Sequence, residues 1–179
     1  MDSRPSASLD PAALQPLSPV EWRLAMGRFP TGVTVVTSWK GPEPVGTTAN
    51  ALASVSLEPP LLLVCLDLKN PALAPIEACG VFGVNMLASD HLHLVRRFSQ
   101  PPEENRFEGL AWRSAPGGAP ELPDTAVFVD CALAQVHLAG DHKIIVGRGV
   151  RVSHNSDAGP LLYHKGAFPK LPFGWGEGI

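Results

Sequence analysis

Between positions 45 and 56 the chain reads Val45-Gly46-Thr47-Thr48-Ala49-Asn50-Ala51, followed by Ser54 and Ser56. Hydroxyls, one carboxamide and main-chain amides sit among small residues, a donor set that suits a flat ring accepting hydrogen bonds along its edge. The same stretch suits a solvated strand face, since threonine is favoured in strands. Ser54 and Ser56 are two residues apart, so in an extended strand both face one side. A second locus is Gly140-Asp141-His142, where a tight turn delivers an imidazole able to act as acid or base near neutral pH; most lone exposed histidines do no chemistry. Lys165, in Tyr163-His164-Lys165-Gly166, can meet a phosphate as a point charge.

Other polar residues have duller readings. Cys65, Cys79 and Cys131 are isolated, odd in number and lack a Cys-x-x-Cys pair, which argues against a disulfide framework and a zinc site and for buried thiols in a reducing cytoplasm. Arg96 and Arg97 complement a helix C-terminus. Free N–H groups of the helix expected after Asn85, near Ser89, suit a phosphate. His91 and His93 are surface or packing residues. No Gly-x-x-x-x-Gly-Lys-Ser/Thr, Gly-x-Ser-x-Gly or His-Glu-x-x-His occurs, and Gly147-Arg148-Gly149 lacks the third glycine of a dinucleotide fingerprint.

The elements that must hold these groups follow from turn residues and periodicity. Ser18-Pro19-Val20-Glu21 is a helix start with a capping box, and the helix runs to about Gly27. Strands are expected over 32–37, over part of 45–57, and over 61–66, with Pro59-Pro60 as a rigid corner. Asn70 caps a helix that stops at Gly80, a buried strand covers 81–85, and Ser89 or Asp90 caps a helix ending near Arg97-Phe98. Residues 99–124 have no sustained period and form a long loop anchored by Phe107 and Trp112. Long strands over 126–138 and 143–152 flank Gly140-Asp141, and 161–163 adds a short one. About seven strands and three short helices, without regular alternation, give a mainly β, antiparallel Greek-key barrel with helices at its ends.

Composition limits the partners. The 179 residues fit one domain, expected over 18–170 between a disordered tail at 1–17 and a C-terminal tail at 171–179. Apolar residues are 45% and charged residues 17%, a balance that suits a compact fold burying further surface in a homo-oligomer. Fourteen Lys and Arg against 17 Asp and Glu, with no basic run, disfavour nucleic acid and anionic membranes. The start has no apolar stretch to act as a secretion signal, and the longest apolar run, 61–66, is far below the roughly 20 residues of a membrane-spanning helix.

Seven ordered segments carry a family resemblance: Phe29-Pro30-Thr31-Gly32-Val33-Thr34-Val35-Val36-Thr37, Val45-Gly46-Thr47-Thr48-Ala49-Asn50-Ala51, Ser54-Val55-Ser56-Leu57-Glu58-Pro59-Pro60-Leu61, Phe82-Gly83-Val84-Asn85, Asp130-Cys131, Gly140-Asp141-His142 and Pro160-Leu161-Leu162-Tyr163. Over residues 18–170 the chain resembles the flavin reductases that serve two-component flavin monooxygenases. The resemblance implies a flavin-binding split barrel, a homodimer, FMN or FAD as flavin, and NADH or NADPH as hydride donor. It implies flavin contacts at residues 45–51, Ser54, Ser56, Cys65, Leu66, Asp67, Asn85, Arg97 and Phe98. It places His142, Tyr163, His164, Lys165 and Gly166 at the nicotinamide dinucleotide, with His142 acting in the reaction, and gives no metal a role. Reduced flavin would then diffuse to a partner monooxygenase. Leu52, His91 and His164-Lys165 depart from the family pattern, where an aromatic, a glutamine and an aromatic–arginine pair are usual. Two other readings are a flavin-binding barrel of different oxidoreductase or electron-carrier role, and a barrel that only dimerises.

Overall fold

The computed structural model describes residues 15–100, 105–114 and 117–170. Of the tails expected at 1–17 and 171–179, all but 15–17 lie outside these residues. The first helix, α1 (Pro19–Met26), begins as its sequence dictates. Ser18 Oγ accepts the Glu21 N–H at 3.2 Å, and Glu21 Oε2 accepts the Ser18 N–H at 3.1 Å.

Two hairpins follow. A short strand β1 (Thr31–Gly32) leads into β2 (Thr34–Lys40), which turns at Gly41, φ +60°, into β3 (Glu43–Ala49). Strand β4 (Leu52–Leu57) returns through the proline corner as β5 (Pro60–Asp67). Then come α2 (Leu73–Cys79), β6 (Val81–Met86), α3 (Leu92–Phe98), the long pair β7 (Val127–Ala139) and β8 (His142–His154), and β9 (Leu162–Tyr163).

The main sheet has the order β3-β2-β6-β7-β8-β5-β4, with antiparallel pairing throughout. Its two end strands, β3 and β4, are consecutive in the chain and joined only by Asn50-Ala51. A sheet whose ends are two residues apart must curl until they meet, which makes it a barrel closed by a bend instead of a ladder. At that bend the Ala51 carbonyl accepts the Cys65 N–H at 3.0 Å. The separate β1–β9 pair, with Thr31 opposite Tyr163, lies beside it.

Strand β2 is buried over its first five residues because both its faces are covered. Val36 joins Val64, Phe82, Val84 and Ile145 inside the barrel. Val35 packs outside it with Leu87, Leu94, Phe98, Phe107 and Leu122, so α3 and the loop after it form a second core. Phe107 is buried, and Trp112 packs edge-on against Trp39 at 5.4 Å.

Two helix caps differ from expectation. α2 starts at Leu73, with Ala72 at the cap position; Asn70 Oδ1 instead accepts the Ala72 N–H at 3.0 Å, closing a turn before the helix. α3 starts at Leu92 with His91 before it, and no side-chain cap. Ser89 donates its N–H to the Gly159 carbonyl at 2.9 Å, next to the Ala88–Pro160 bridge. One of the N–H groups expected near a phosphate, that of Ser89, is thereby bound.

Candidate functional site

Alternation along β3 splits the 45–51 stretch between two faces. Thr47 stands opposite Val36, and Ala49 packs against the barrel core. Gly46 faces outward, where a Cβ would lie 2.8 Å from Phe98, and Thr48 stands opposite Val35 of the outer core. Asn50 and Ala51 leave the strand, so their N–H groups lie outside both ladders.

Here the structure opens a cleft of about 230 Å³ lined by Val33, Thr48, Ala49, Asn50, Val95, Tyr163 and Phe168. Three residues expected at a flavin thus share one cavity with one expected at the nicotinamide. The β1–β9 pair brings Tyr163 there, and Tyr163 and Phe168 pack with ring centroids 5.6 Å apart. Asn50 Nδ2 donates to Thr31 Oγ1 at 3.3 Å, orienting the carboxamide at the rim. A more apolar cleft of about 320 Å³, including Phe29, Thr31, Leu52, Met86 and Leu161, shares Val33 and Asn50 with the first. Val45 and Gly46 line a third, of about 450 Å³, with Lys40, Asn105, Arg106 and Phe107. Exposed amide and hydroxyl donors between apolar walls fit a flat ring with a polar edge.

The turn from Tyr163 to Phe168 forms the rim. His164 and Ala167 exchange backbone hydrogen bonds at 2.9 and 3.0 Å, and Lys165 and Gly166 between them have φ +51° and +79°. Lys165 also donates its N–H to Gly27 O at 2.9 Å. Its side chain is exposed in a left-handed conformation that lysine seldom adopts.

His142 begins β8 directly opposite Asp67 on β5. Asp141 Oδ1 bonds His142 Nδ1 at 2.7 Å, and the Asp141 carbonyl accepts the Leu68 N–H at 3.0 Å. The hydrogen bond from His142, reinforced by its charge when protonated, holds the Asp141 carboxyl below its usual range. From this corner Asn70 Nδ2 reaches Thr47 Oγ1 at 3.1 Å, tying the Asp67–Asn70 turn to β3.

Several expected contacts sit elsewhere. Leu66 is in the barrel core, while Cys65 beside it is half-buried, and burial pushes its thiol up. Asn85 is fully enclosed: Nδ2 donates to Val35 O and Thr37 Oγ1 at 3.0 and 3.2 Å, and Oδ1 accepts the Leu122 N–H at 2.8 Å. Phe98 is buried against Phe107 at 5.1 Å. Arg97 Nε donates to Arg106 O at 2.6 Å, and its Nη2 to Glu108 O. Ser54 pairs with Leu62 but Ser56 with Leu61, so a bulge at Val55 puts the two serines on opposite faces.

Two groups escaped the sequence reading. Arg106 Nη1 donates to Gly46 O at 2.7 Å. Glu121, 3% exposed, accepts from Arg113 at 2.8 Å, Arg151 at 3.0 Å and Ser153 at 2.8 Å, pinning the long loop to β8. An aperiodic loop gives no pattern from which such partners can be read; the only cue was Arg106 preceding the aromatic anchor Phe107.

Comparison with known proteins identifies the family. Residues 26–172 match the family model described as a flavin reductase like domain. The chain is 36% identical over 157 residues to the reductase subunit HsaB of a flavin-dependent monooxygenase from Rhodococcus jostii, covering 87% of this chain and 80% of that one. It is 38% identical over 150 residues to the FMN reductase (NADH) SmoA of Agrobacterium fabrum, covering 84% of each. Among solved structures it superposes with TM-score 0.81 on the NADH:FAD oxidoreductase SgcE6 of Streptomyces globisporus, at 32% identity, covering 89% of this chain and 98% of that one. The chain belongs to the flavin reductase-like domain family.

Proposed function

We propose that this protein is an NADH-dependent flavin reductase that delivers reduced FMN or FAD to a partner monooxygenase. The observation that carries the reading is the shared cleft in which Thr48, Ala49 and Asn50 meet Tyr163. Relatives named as an FMN reductase (NADH) and as a monooxygenase reductase subunit support donor and partner. Residues 18–170 form the working domain, in keeping with the family match over 26–172.

A bound flavin supplies the hydride acceptor and carries the electrons away. The chain's own contribution is to bind and orient. Thr48, the Asn50 carboxamide and the N–H groups at the bend meet the polar edge of the ring. Val33, Val95, Tyr163 and Phe168 cover it from water, and the Asn50 bond to Thr31 keeps the carboxamide in place. Asp141 holds His142 through Nδ1, leaving Nε2 to meet the nicotinamide carboxamide or hold a proton near the ring. His164 and Lys165 stand ready for the dinucleotide phosphates.

A homodimer fits the surface. α1 buries no residue of its own, and Val20, Trp22 and Leu24 are 68%, 56% and 68% exposed. Sedimentation should report twice the chain mass. No helix among the described residues is long and apolar enough to cross a membrane, and the three free thiols suit the cytoplasm. The activity is tested by following NADH and NADPH absorbance in air with FMN or FAD added. Flavin-dependent oxidation of NADH is expected; flavin uptake without turnover contradicts the reading.

A further inference from the structure

The loop after α3 is hydrogen-bonded to β3 at Gly46. The Arg97 guanidinium leaves the helix end and binds two loop carbonyls, those of Arg106 at 2.6 Å and of Glu108. The loop in turn sends out Arg106, whose Nη1 donates to the Gly46 carbonyl at 2.7 Å while Nη2 donates to Gln100 O. Phe107 packs at the same place: a Cβ on Gly46 would lie 3.3 Å from its ring and 2.8 Å from that of Phe98. Gly46 is two residues from Thr48 on a strand that ends the ladder, so among the described residues one side of β3 has no strand to fix it.

We propose that Arg97 and Arg106 form a relay that sets the position of β3, and so act as positioning residues for flavin without touching it. Arg97 fixes the loop, the loop aims Arg106, and Arg106 holds the Gly46 carbonyl beside the Thr48–Asn50 cleft. Charged donors to carbonyls make strong hydrogen bonds, and the planar guanidinium fixes direction as well as distance. This assignment rests on the flavin reading above and replaces a direct contact of Arg97 with flavin.

The relay is tested by a double-mutant cycle with Arg97→Ala and Arg106→Ala, read by flavin fluorescence titration, by KM for NADH and by amide exchange at Thr47 and Thr48. Each single variant is expected to weaken flavin binding roughly tenfold while KM for NADH stays unchanged. The double variant should be no weaker than the weaker single, because both residues act through one contact. Arg106→Lys, which keeps one donor for Gly46, should recover part of the loss. Faster amide exchange at Thr47 and Thr48 is expected in both single variants. Additive losses of flavin affinity, as for an Arg97 that touches flavin itself, overturn the relay, and so does unchanged exchange in Arg97→Ala. A wild-type protein that binds no flavin refutes the parent reading alone, since exchange still decides the relay.

Discussion

The Asn70 carboxamide joins Thr47 to the head of α2: Nδ2 donates to Thr47 Oγ1 at 3.1 Å while Oδ1 accepts the Ala72 N–H at 3.0 Å. One side chain thus couples the β5–α2 turn, next to Asp67, to the strand that carries the Thr48–Asn50 cleft. Asn70→Ala removes both bonds, and the stability loss should be about 1–2 kcal/mol by urea denaturation. Flavin affinity should fall with it, whereas Asn70→Asp, which keeps the Ala72 contact, should retain more of the stability.

His142 is anchored through Nδ1 by Asp141 and lies opposite Asp67; the role proposed for it is in the reaction and not in retention of flavin. His142→Ala should slow hydride transfer more than it weakens flavin binding, compared by rapid-mixing reduction and by titration. Equal losses in both would remove its role.

Glu121 gives a pH dependence of defined sign. Burial raises its pKa, but the hydrogen bonds from Arg113, Ser153 and Arg151 together outweigh burial and hold the carboxyl below its usual value. A folded-state pKa below the unfolded one stabilises the protein above the unfolded value, and that stability is lost as pH falls through the folded value. Denaturation midpoints should therefore drop on acidification below roughly pH 4.5, the ordinary range of a glutamate. Glu121→Gln should be less stable at pH 7 and show a flatter acid limb.

Gly147 allows β8 to pass Phe82. A Cβ there would lie 2.4 Å from Phe82 Cζ and 3.0 Å from Cys131 Cβ, and both neighbours are fully buried. Gly147→Ala should cost about 1–3 kcal/mol in thermal unfolding. Phe82→Leu in the same chain should restore part of it, because the clash is with the ring.

Local rules made much of the fold legible. The Ser18–Glu21 capping box and the left-handed Gly80, φ +72°, are sequence signals that tertiary contacts leave intact. The tight link at Gly140-Asp141 likewise joins β7 and β8 where expected. What spacing could not reveal was set by long-range partners. Ser54 and Ser56 look alike by period, yet an extra residue in β4 turns them apart. Asn85 has the same carboxamide as Asn50, but β2 takes its Nδ2 through Val35 O and Thr37 Oγ1, and the Leu122 N–H of the loop takes its Oδ1. Arg106 meets Gly46 across 60 positions of sequence, beyond the reach of any local pattern.

On the function proposed above, the Thr48–Asn50 cleft holds a flavin where a reduced nicotinamide can reach it. Mixing the protein anaerobically with FMN or FAD and then NADH in a stopped-flow spectrometer measures this directly. Rapid bleaching of flavin absorbance, saturable in NADH and slowed by substitution of Asn50, is the result expected. Bleaching no faster than in free solution would contradict a flavin site in this cleft.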